Sequence, residues 1–397
     1  MNSRWTCAVC ALTAAAAILG SLASGQNPAP IHFKYQPIDF QLDSCESAQR
    51  HAPETMAGGL AIFDYNNDGY LDIFFANGAD IQTLKKNSPR YSNRLFENDG
   101  HGHFKDVTTA AGLVGAGFED GVAIGDYDND GREDIFVGGV GANHLYHNDG
   151  GTFTDVTAKA GLGTPDPQYG PLWSVGGAWL DVNNDGLLDL VIVNYVVWDI
   201  SHEPACEASS GRRDYCHPKS YKPTPNQLFL NNGNGTFRDV SAQSGIRDHA
   251  GKGMGIGVAD FDGDGLIDFF IPNDKMYNSL FHNRGGGRFD EIAFEAGAAL
   301  NEDGKFISGM GADSRDLDND GLPDIVFAAL DGETFPLFRG LGKRGFTDVT
   351  RASNMASLTA PMAGYSPNIA DFDIIAGTTS LSLAVTYWRS QTVPAHQ

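Results

Sequence analysis

The residues most able to do chemistry in this chain are aspartates that recur at fixed spacing. In Asp260-Phe261-Asp262-Gly263-Asp264-Gly265-Leu266-Ile267-Asp268, carboxylates stand at positions one, three, five and nine and a glycine stands at six. Glycine there lets the backbone turn sharply enough to aim the oxygens at one centre, which is a cage for a hard cation. The pattern returns as Asp64, Asn66, Asp68 and Asp72 around Gly69, as Asp126, Asp128, Asp130 and Asp134 around Gly131, as Asp181, Asn183, Asp185 and Asp189 around Gly186, and as Asp316, Asp318, Asp320 and Asp324 around Gly321. Calcium accepts six to eight oxygens in a forgiving geometry, whereas magnesium demands a tight octahedron. Five calcium sites are therefore expected. Side chains at positions one, three, five and nine would be joined by the position-seven carbonyls of Tyr70, Arg132, Leu187, Leu266 and Leu322.

An EF-hand would need a bidentate glutamate at position twelve and flanking helices. Position twelve is Phe75, Val137, Ile192, Ile271 and Phe327, and the flanks alternate or run apolar over strand lengths, so each loop reads as the tip of a β-hairpin. An Asx-rich turn that binds nothing is the simpler account of a single copy, but five copies ask for more. Two carboxylates about 5 Å apart repel by roughly 3 kcal/mol at an effective dielectric near 20, so an empty loop resists its own closure.

Behind each loop comes a second shared phrase, Asn93 to Thr108, Asn143 to Thr157 and Asn226 to Ser241, with looser copies at 278–293 and 335–350. Each unit thus offers a strand, the acidic hairpin, a second strand, a third on a Leu-Phe pair, a glycine turn and a fourth on Phe-x-Asp-Val. Four strands per unit is the grammar of a β-propeller blade, giving an all-β chain. Loops start at 64, 126, 181, 260 and 316, with a broken copy at 371, so five complete blades and a truncated one are expected. Their approximate limits are 58–113, 121–162, 176–246, 255–298 and 309–351, with a partial unit from 364. Residues 31–40 read as a lone fourth strand ahead of the first unit, the kind that closes a ring. An insertion over 194–225 carries Trp198, Cys206, Cys216 and the basic residues Arg212, Arg213, Lys219 and Lys222. It is either a contact site or a loop balanced by nearby acids.

The chain has 397 residues and a net charge of −23, much of it concentrated in the hairpins, which argues against nucleic acid as a partner. Residues 1–25 read as an export signal, with Arg4, an apolar run from Cys7 to Gly20 and small residues at Ala23, Ser24 and Gly25. That run is too short to span a membrane, and no other segment is long enough. Cys7 and Cys10 would leave with the signal. In an oxidising compartment Cys206 and Cys216 are the natural disulfide, leaving Cys45 as a buried thiol. His202 and His217 nearby raise a zinc reading, although the spacing matches no standard finger.

The hairpins and their trailing phrases resemble the FG-GAP/VCBS repeats of integrin-α-type propellers. More narrowly, they resemble exported bacterial relatives of cartilage acidic protein, the ASPIC/UnbV family. The resemblance covers about residues 31–373 and implies a seven-bladed propeller with calcium in hairpin loops and a role in extracellular interaction or adhesion. Nothing after Asp373 resembles the ASPIC/UnbV module, so the repeats at 26–373 are followed by an aberrant tail. There Ile374 and Ile375 stand where a sixth cage should continue, and residues 374–397 read as a shifted-frame ending. A ring without its closing blades would leave strand edges and apolar faces exposed.

No Gly-x-Ser-x-Gly, His-Glu-x-x-His or phosphate-binding glycine loop is present. His101, His103, His144 and His147 fall in turn phrases, where a solvated surface role is expected. Trp173, Trp179 and Trp198 would suit a sugar platform, although Trp179 fits a core between blades better. Two functions follow. The first is an exported calcium-binding interaction module, without catalysis of its own, for a protein or glycan ligand. The second is a calcium-dependent carbohydrate-active lyase or hydrolase built on a propeller.

Overall fold

A computed structural model describes residues 36–370 and 382–385. The chain divides into two compact units, Met1–Gln36 and Pro37–Gln397, and every described strand lies in the second. The leader reading at 1–25 and most of the tail read at 374–397 fall outside the described residues.

Twenty of the strands form five antiparallel four-stranded sheets. The first is β1 (Leu60–Phe63), β2 (Asp72–Phe75), β3 (Arg94–Asn98) and β4 (Phe104–Asp106). The second is β5 (Glu119–Gly125), β6 (Asp134–Gly139), β7 (His144–Asn148) and β8 (Phe153–Asp155). The third comprises β9 (Ser174–Leu180), β10 (Asp189–Asn194), β13 (Gln227–Asn231) and β14 (Phe237–Asp239), interrupted by a small hairpin of β11 (Cys206–Glu207) and β12 (Arg213–Asp214). The fourth is β15 (Gly257–Ala259), β16 (Asp268–Ile271), β17 (Ser279–Asn283) and β18 (Phe289–Glu291). The fifth is β19 (Ala312–Arg315), β20 (Asp324–Phe327), β21 (Leu337–Gly340) and β22 (Phe346–Asp348). A sixth begins with β23 (Pro367–Ala370) paired to β24 (Ser382–Val385), so part of the tail supplies a second strand as it stands.

One register serves all five acidic hairpins. The residue before position one pairs with the aspartate at position nine: Phe63 with Asp72, Gly125 with Asp134, Leu180 with Asp189, Ala259 with Asp268 and Arg315 with Asp324. A loop of fixed length between fixed partners makes the five cages superimposable in design.

From the second sheet onward, the second strands are apolar on both faces because each lies between two neighbouring sheets. Leu190 and Ile192 of β10 pack with Phe136 and Leu145 of the second sheet, whereas Val191 and Val193 pack with Phe269 and Ile271 of the fourth. Alternation of side chains along a strand serves two cores at once. The first strands of successive sheets lie side by side, β1 by β5, β5 by β9, β15 by β19 and β19 by β23. Glycine makes that approach feasible, since a Cβ on Gly121 would sit 2.2 Å from the Val175 carbonyl oxygen and one on Gly59 would sit 2.3 Å from that of Asp120. The sheets are blades of a β-propeller that is not closed. On β1, Leu60 and Ile62 turn outward and are 47% and 57% exposed, where the equivalent faces of later sheets meet a neighbour.

At the end opposite the hairpins, the insertion closes over residues 42–57. Glu203 accepts from the Ala52 amide (2.8 Å) and the Tyr221 hydroxyl (2.9 Å), and its carboxylate meets His51 Nδ1 at 2.5 Å. Cys206 and Cys216 form the disulfide. Cys45 is free, as expected, but half-buried rather than buried, with the Tyr91 hydroxyl donating to its sulfur at 3.1 Å. Residues 36–40 form no strand, and Phe40 instead stacks on Phe75 with ring centroids 4.3 Å apart. The closing-strand reading therefore fails for that part, and residues 31–35 lie outside the described residues. From the segment ahead of β23, the Tyr365 hydroxyl donates to the Thr55 carbonyl at 3.3 Å.

Candidate metal centres

The aspartate at position one organises each hairpin tip. Its Oδ1 accepts the amide of position five, at 2.9 Å in the second hairpin and 3.0–3.1 Å in the others, and its Oδ2 accepts the glycine amide of position six at 2.7–2.8 Å. Position five in turn accepts the amide of position seven, as in Leu266 to Asp264 at 2.9 Å. These bonds wrap the backbone around a knot of carboxylate oxygens. Asp260, Asp262 and Asp264 bring ligand oxygens within 4.8 Å of one another, as do Asp316, Asp318 and Asp320, and as do Asp126, Asp128 and Asp134. In the first and third hairpins position three is an asparagine, and the Asn66 and Asn183 amides donate to Asp68 and Asp185 at 3.1 and 3.0 Å.

Position nine differs from the rest. Asp72, Asp134, Asp189, Asp268 and Asp324 are at most 3% exposed. One oxygen of each accepts an amide at the end of the third strand, from Asn98, Asn148, Asn231, Asn283 or Gly340, at 2.7–2.9 Å. The other accepts the position-two amide, as in Val182 to Asp189 at 3.1 Å. Burial, opposed by these bonds, raises Asp72 and Asp189 to about 6 and Asp134 to about 7, and moves Asp268 and Asp324 in the same direction. A buried carboxylate in an acidic knot is short of positive charge, which a divalent ion supplies. At positions one, three, five and nine the donors are carboxylate and amide oxygens, a set that fits a hard cation such as calcium.

The side chains at position seven have a separate task. Tyr70 lies over Gly100, where a Cβ would meet its ring at 2.4 Å, and Leu187 lies over Gly233 in the same way. Leu266 and Leu322 cover Gly285 and Gly342, while Arg132 Nε donates to the Asn148 carbonyl at 2.8 Å.

Position four was not anticipated. Asn67, Asn129, Asn184 and Asn319 adopt φ of 57–59°, and Gly263 takes the same place at 76°, because the turn requires the left-handed region that Asn and Gly tolerate best. Three of these asparagines also reach the next hairpin. Asn67 Nδ2 donates to the Gly131 carbonyl (3.0 Å), Asn129 to Gly186 (3.1 Å) and Asn184 to Gly265 (3.5 Å). A second series runs parallel, from Asn148, Asn231 and Asn283 to the position-two carbonyls of Tyr65, Tyr127 and Val182 at 2.7–2.9 Å. Both series stop between the fourth and fifth sheets, where Gly263 lacks a side chain and Gly340 replaces the asparagine. There a cleft of about 390 Å³ opens, lined by Phe261, Asp262, Asp268, His282, Arg284 and Phe346 among others.

The residue beside each cage on the third strand was also missed. It is Glu97, His147, Leu230, His282 or Arg339, and aligning the trailing phrases in columns would have exposed it. His144 and His147 are half-buried rather than freely solvated. His144 Nδ1 pairs with Asp155 at 3.0 Å, and His147 Nε2 lies 3.0 Å from Asp128. Trp173 is 1% exposed and Trp179 stacks on Tyr127 at 5.9 Å, so both serve the core and the sugar-platform reading is corrected. Within the insertion Arg213 donates to the Gln49 carbonyl, whereas Arg212, Lys219 and Lys222 are exposed. The disulfide removes both cysteines as zinc thiolates.

Blades of this pattern, tipped with acidic hairpins, define a class, and the FG-GAP-like repeat family matches residues 64–137, 126–192 and 215–271. The chain carries FG-GAP-like repeats and is homologous to cartilage acidic protein 1. It is 28% identical to that of Mus musculus over 328 residues, 78% of this chain and 44% of the relative. The Homo sapiens protein is 27% identical over 78% of this chain and 43% of its own length. The Xenopus tropicalis protein is 25% identical over 81% and 47%. The chain thus spans less than half the length of these relatives. A solved lectin of Agrocybe aegerita, described by its recognition of non-reducing terminal N-acetylglucosamine, aligns with TM-score 0.41 and 18% identity over 74% of this chain and 65% of the lectin. At that score the likeness carries no inference about this chain.

Proposed function

We propose that this chain is an exported calcium-stabilised propeller that holds a protein or glycan partner and performs no chemistry of its own. The observation that carries the reading is the same tip at five hairpins, where the position-one carboxylate gathers the loop amides and a buried aspartate stands behind at position nine, with three carboxylates converging in the second, fourth and fifth. Positions one, three and five would hold the ion, with position nine and the position-seven carbonyl completing the shell. Calcium supplies the positive charge that lets crowded carboxylates remain ionised beside one another. The disulfide suits an oxidising compartment, and the leader reading at 1–25 agrees with export. No described helix is long and apolar enough to cross a membrane. The exposed Arg212, Lys219 and Lys222 make the insertion a candidate contact surface on an otherwise acidic protein.

Chelation with EDTA is the test. Melting temperature is expected to fall sharply and recover on addition of calcium, while a screen of glycans and extracellular proteins gives binding that is lost with the chelator. Unchanged melting overturns the calcium reading, and product released from a polysaccharide overturns the non-catalytic one. Whether residues 374–397 are a shifted-frame ending is decided by the nucleotide sequence of the gene.

A further inference from the structure

The five hairpins share one design but not one neighbour on the third strand, and that neighbour changes the donor set. In the second hairpin, Asp128, Asp130 and His147 place ligand atoms within 4.8 Å of one another, as do Asp262, Asp268 and His282 in the fourth. His147 Nδ1 is held by Asp149 at 2.9 Å, which leaves Nε2 directed at Asp128, 3.0 Å away, and Asp130, 3.7 Å away. A carboxylate behind the ring and the other nitrogen facing the cage is how an imidazole is oriented toward a metal. His282 is 8% exposed, its Nδ1 lies 3.1 Å from Asp268, and it borders the cleft between the fourth and fifth sheets. Two donors each about 2.1 Å from one ion stand about 3.0–3.4 Å apart, the separation of one pair in each hairpin, His147 with Asp128 and His282 with Asp268.

The other three hairpins lack this donor. Glu97 receives the Asn66 amide at 3.4 Å in the first, and Leu230 offers nothing to the third. In the fifth, the Arg339 guanidinium sits 2.8 Å from Asp318 and brings a positive charge to the cage. In the second hairpin Arg132 pairs with Asp130 and opposes any divalent ion equally, so the choice between ions falls to the imidazole. Calcium gains nothing from nitrogen, whereas imidazole suits zinc, cobalt and their neighbours.

We propose that the second and fourth hairpins are mixed nitrogen-oxygen sites for a borderline divalent transition ion, with His147 and His282 as ligands, while the first and third are oxygen-only calcium sites. The proposal rests on the hairpins being ion sites at all, and its test keeps the two apart. The full chain is stripped with EDTA, saturated with calcium and titrated with Co²⁺, read by visible absorption and by bound metal per chain. Two equivalents of Co²⁺ are expected to persist against calcium. His147→Gln and His282→Gln should each remove one, and Asp149→Asn should weaken the His147 site by about 10- to 100-fold. Leu230→His should add a third equivalent, and this gain does not depend on a damaged variant folding. Displacement of all Co²⁺ by calcium, or two equivalents retained in the double histidine variant, overturns the proposal and reduces each pair to a histidine–aspartate hydrogen bond. Failure to bind either ion overturns the calcium reading as well.

Discussion

Asp185 and Asp189 belong to one hairpin and carry the same carboxylate, yet they contribute through different physics. Asp185 is exposed at the tip, where its charge is useful when an ion is present. Asp189 is fully buried and accepts the Asn231 and Val182 amides, joining the third strand to the hairpin base. Removing it strands two buried donors, which costs about 3 kcal/mol. Asp189→Ala should therefore lower stability by about that amount even in EDTA, and by more in calcium, where it also removes a ligand. Asp185→Ala should lower only the calcium-loaded value. Urea unfolding in EDTA and in calcium separates the two, and equal losses for both variants in EDTA would contradict the division of labour.

Between elements, the hairpins are tied in series by the asparagines at position four. Asn129 accomplishes two things, adopting φ 58° and donating to the Gly186 carbonyl of the next hairpin. Glycine preserves the first property and loses the second, so Asn129→Gly should cost about 0.5–1.5 kcal/mol, seen as a lower denaturant midpoint. Asn129→Ala should cost more, because a Cβ in the left-handed region adds about 1 kcal/mol of strain. If the two variants unfold alike, the backbone conformation does not matter and the account of this turn is wrong. The junction between the fourth and fifth sheets lacks both ties, and a cleft of about 390 Å³ opens there.

For the molecule as a whole, every sheet after the first has a neighbour against its preceding face. Among the described residues the first does not, and Leu60 and Ile62 face solvent on β1. An apolar sheet face of this kind drives association. Replacing Leu60 and Ile62 with lysine should reduce self-association in sedimentation or light scattering, with stability changed by less than about 0.5 kcal/mol because neither side chain is buried. Association that persists in the double variant would place the sticky surface elsewhere.

Much of this was legible in the chain. Asp-x-Asp-x-Asp-Gly spacing, strand-length apolar flanks and the Leu-Phe and Phe-x-Asp-Val phrases are local signals, and local signals determine turns, strands and four-stranded repeats. The proximity of Cys206 and Cys216 made their disulfide readable in the same way. Tertiary structure decided what depends on a neighbour distant in sequence. Position nine became a buried brace because the third strand presents an amide to it, and position four became a tie because another hairpin stands beside it. His147 and His282 became candidate ligands because antiparallel pairing lays the third strand along the second, which begins at position nine of the cage. Spacing along the chain encodes which residues can turn together, but only packing determines which carbonyl, amide or imidazole waits on the other side.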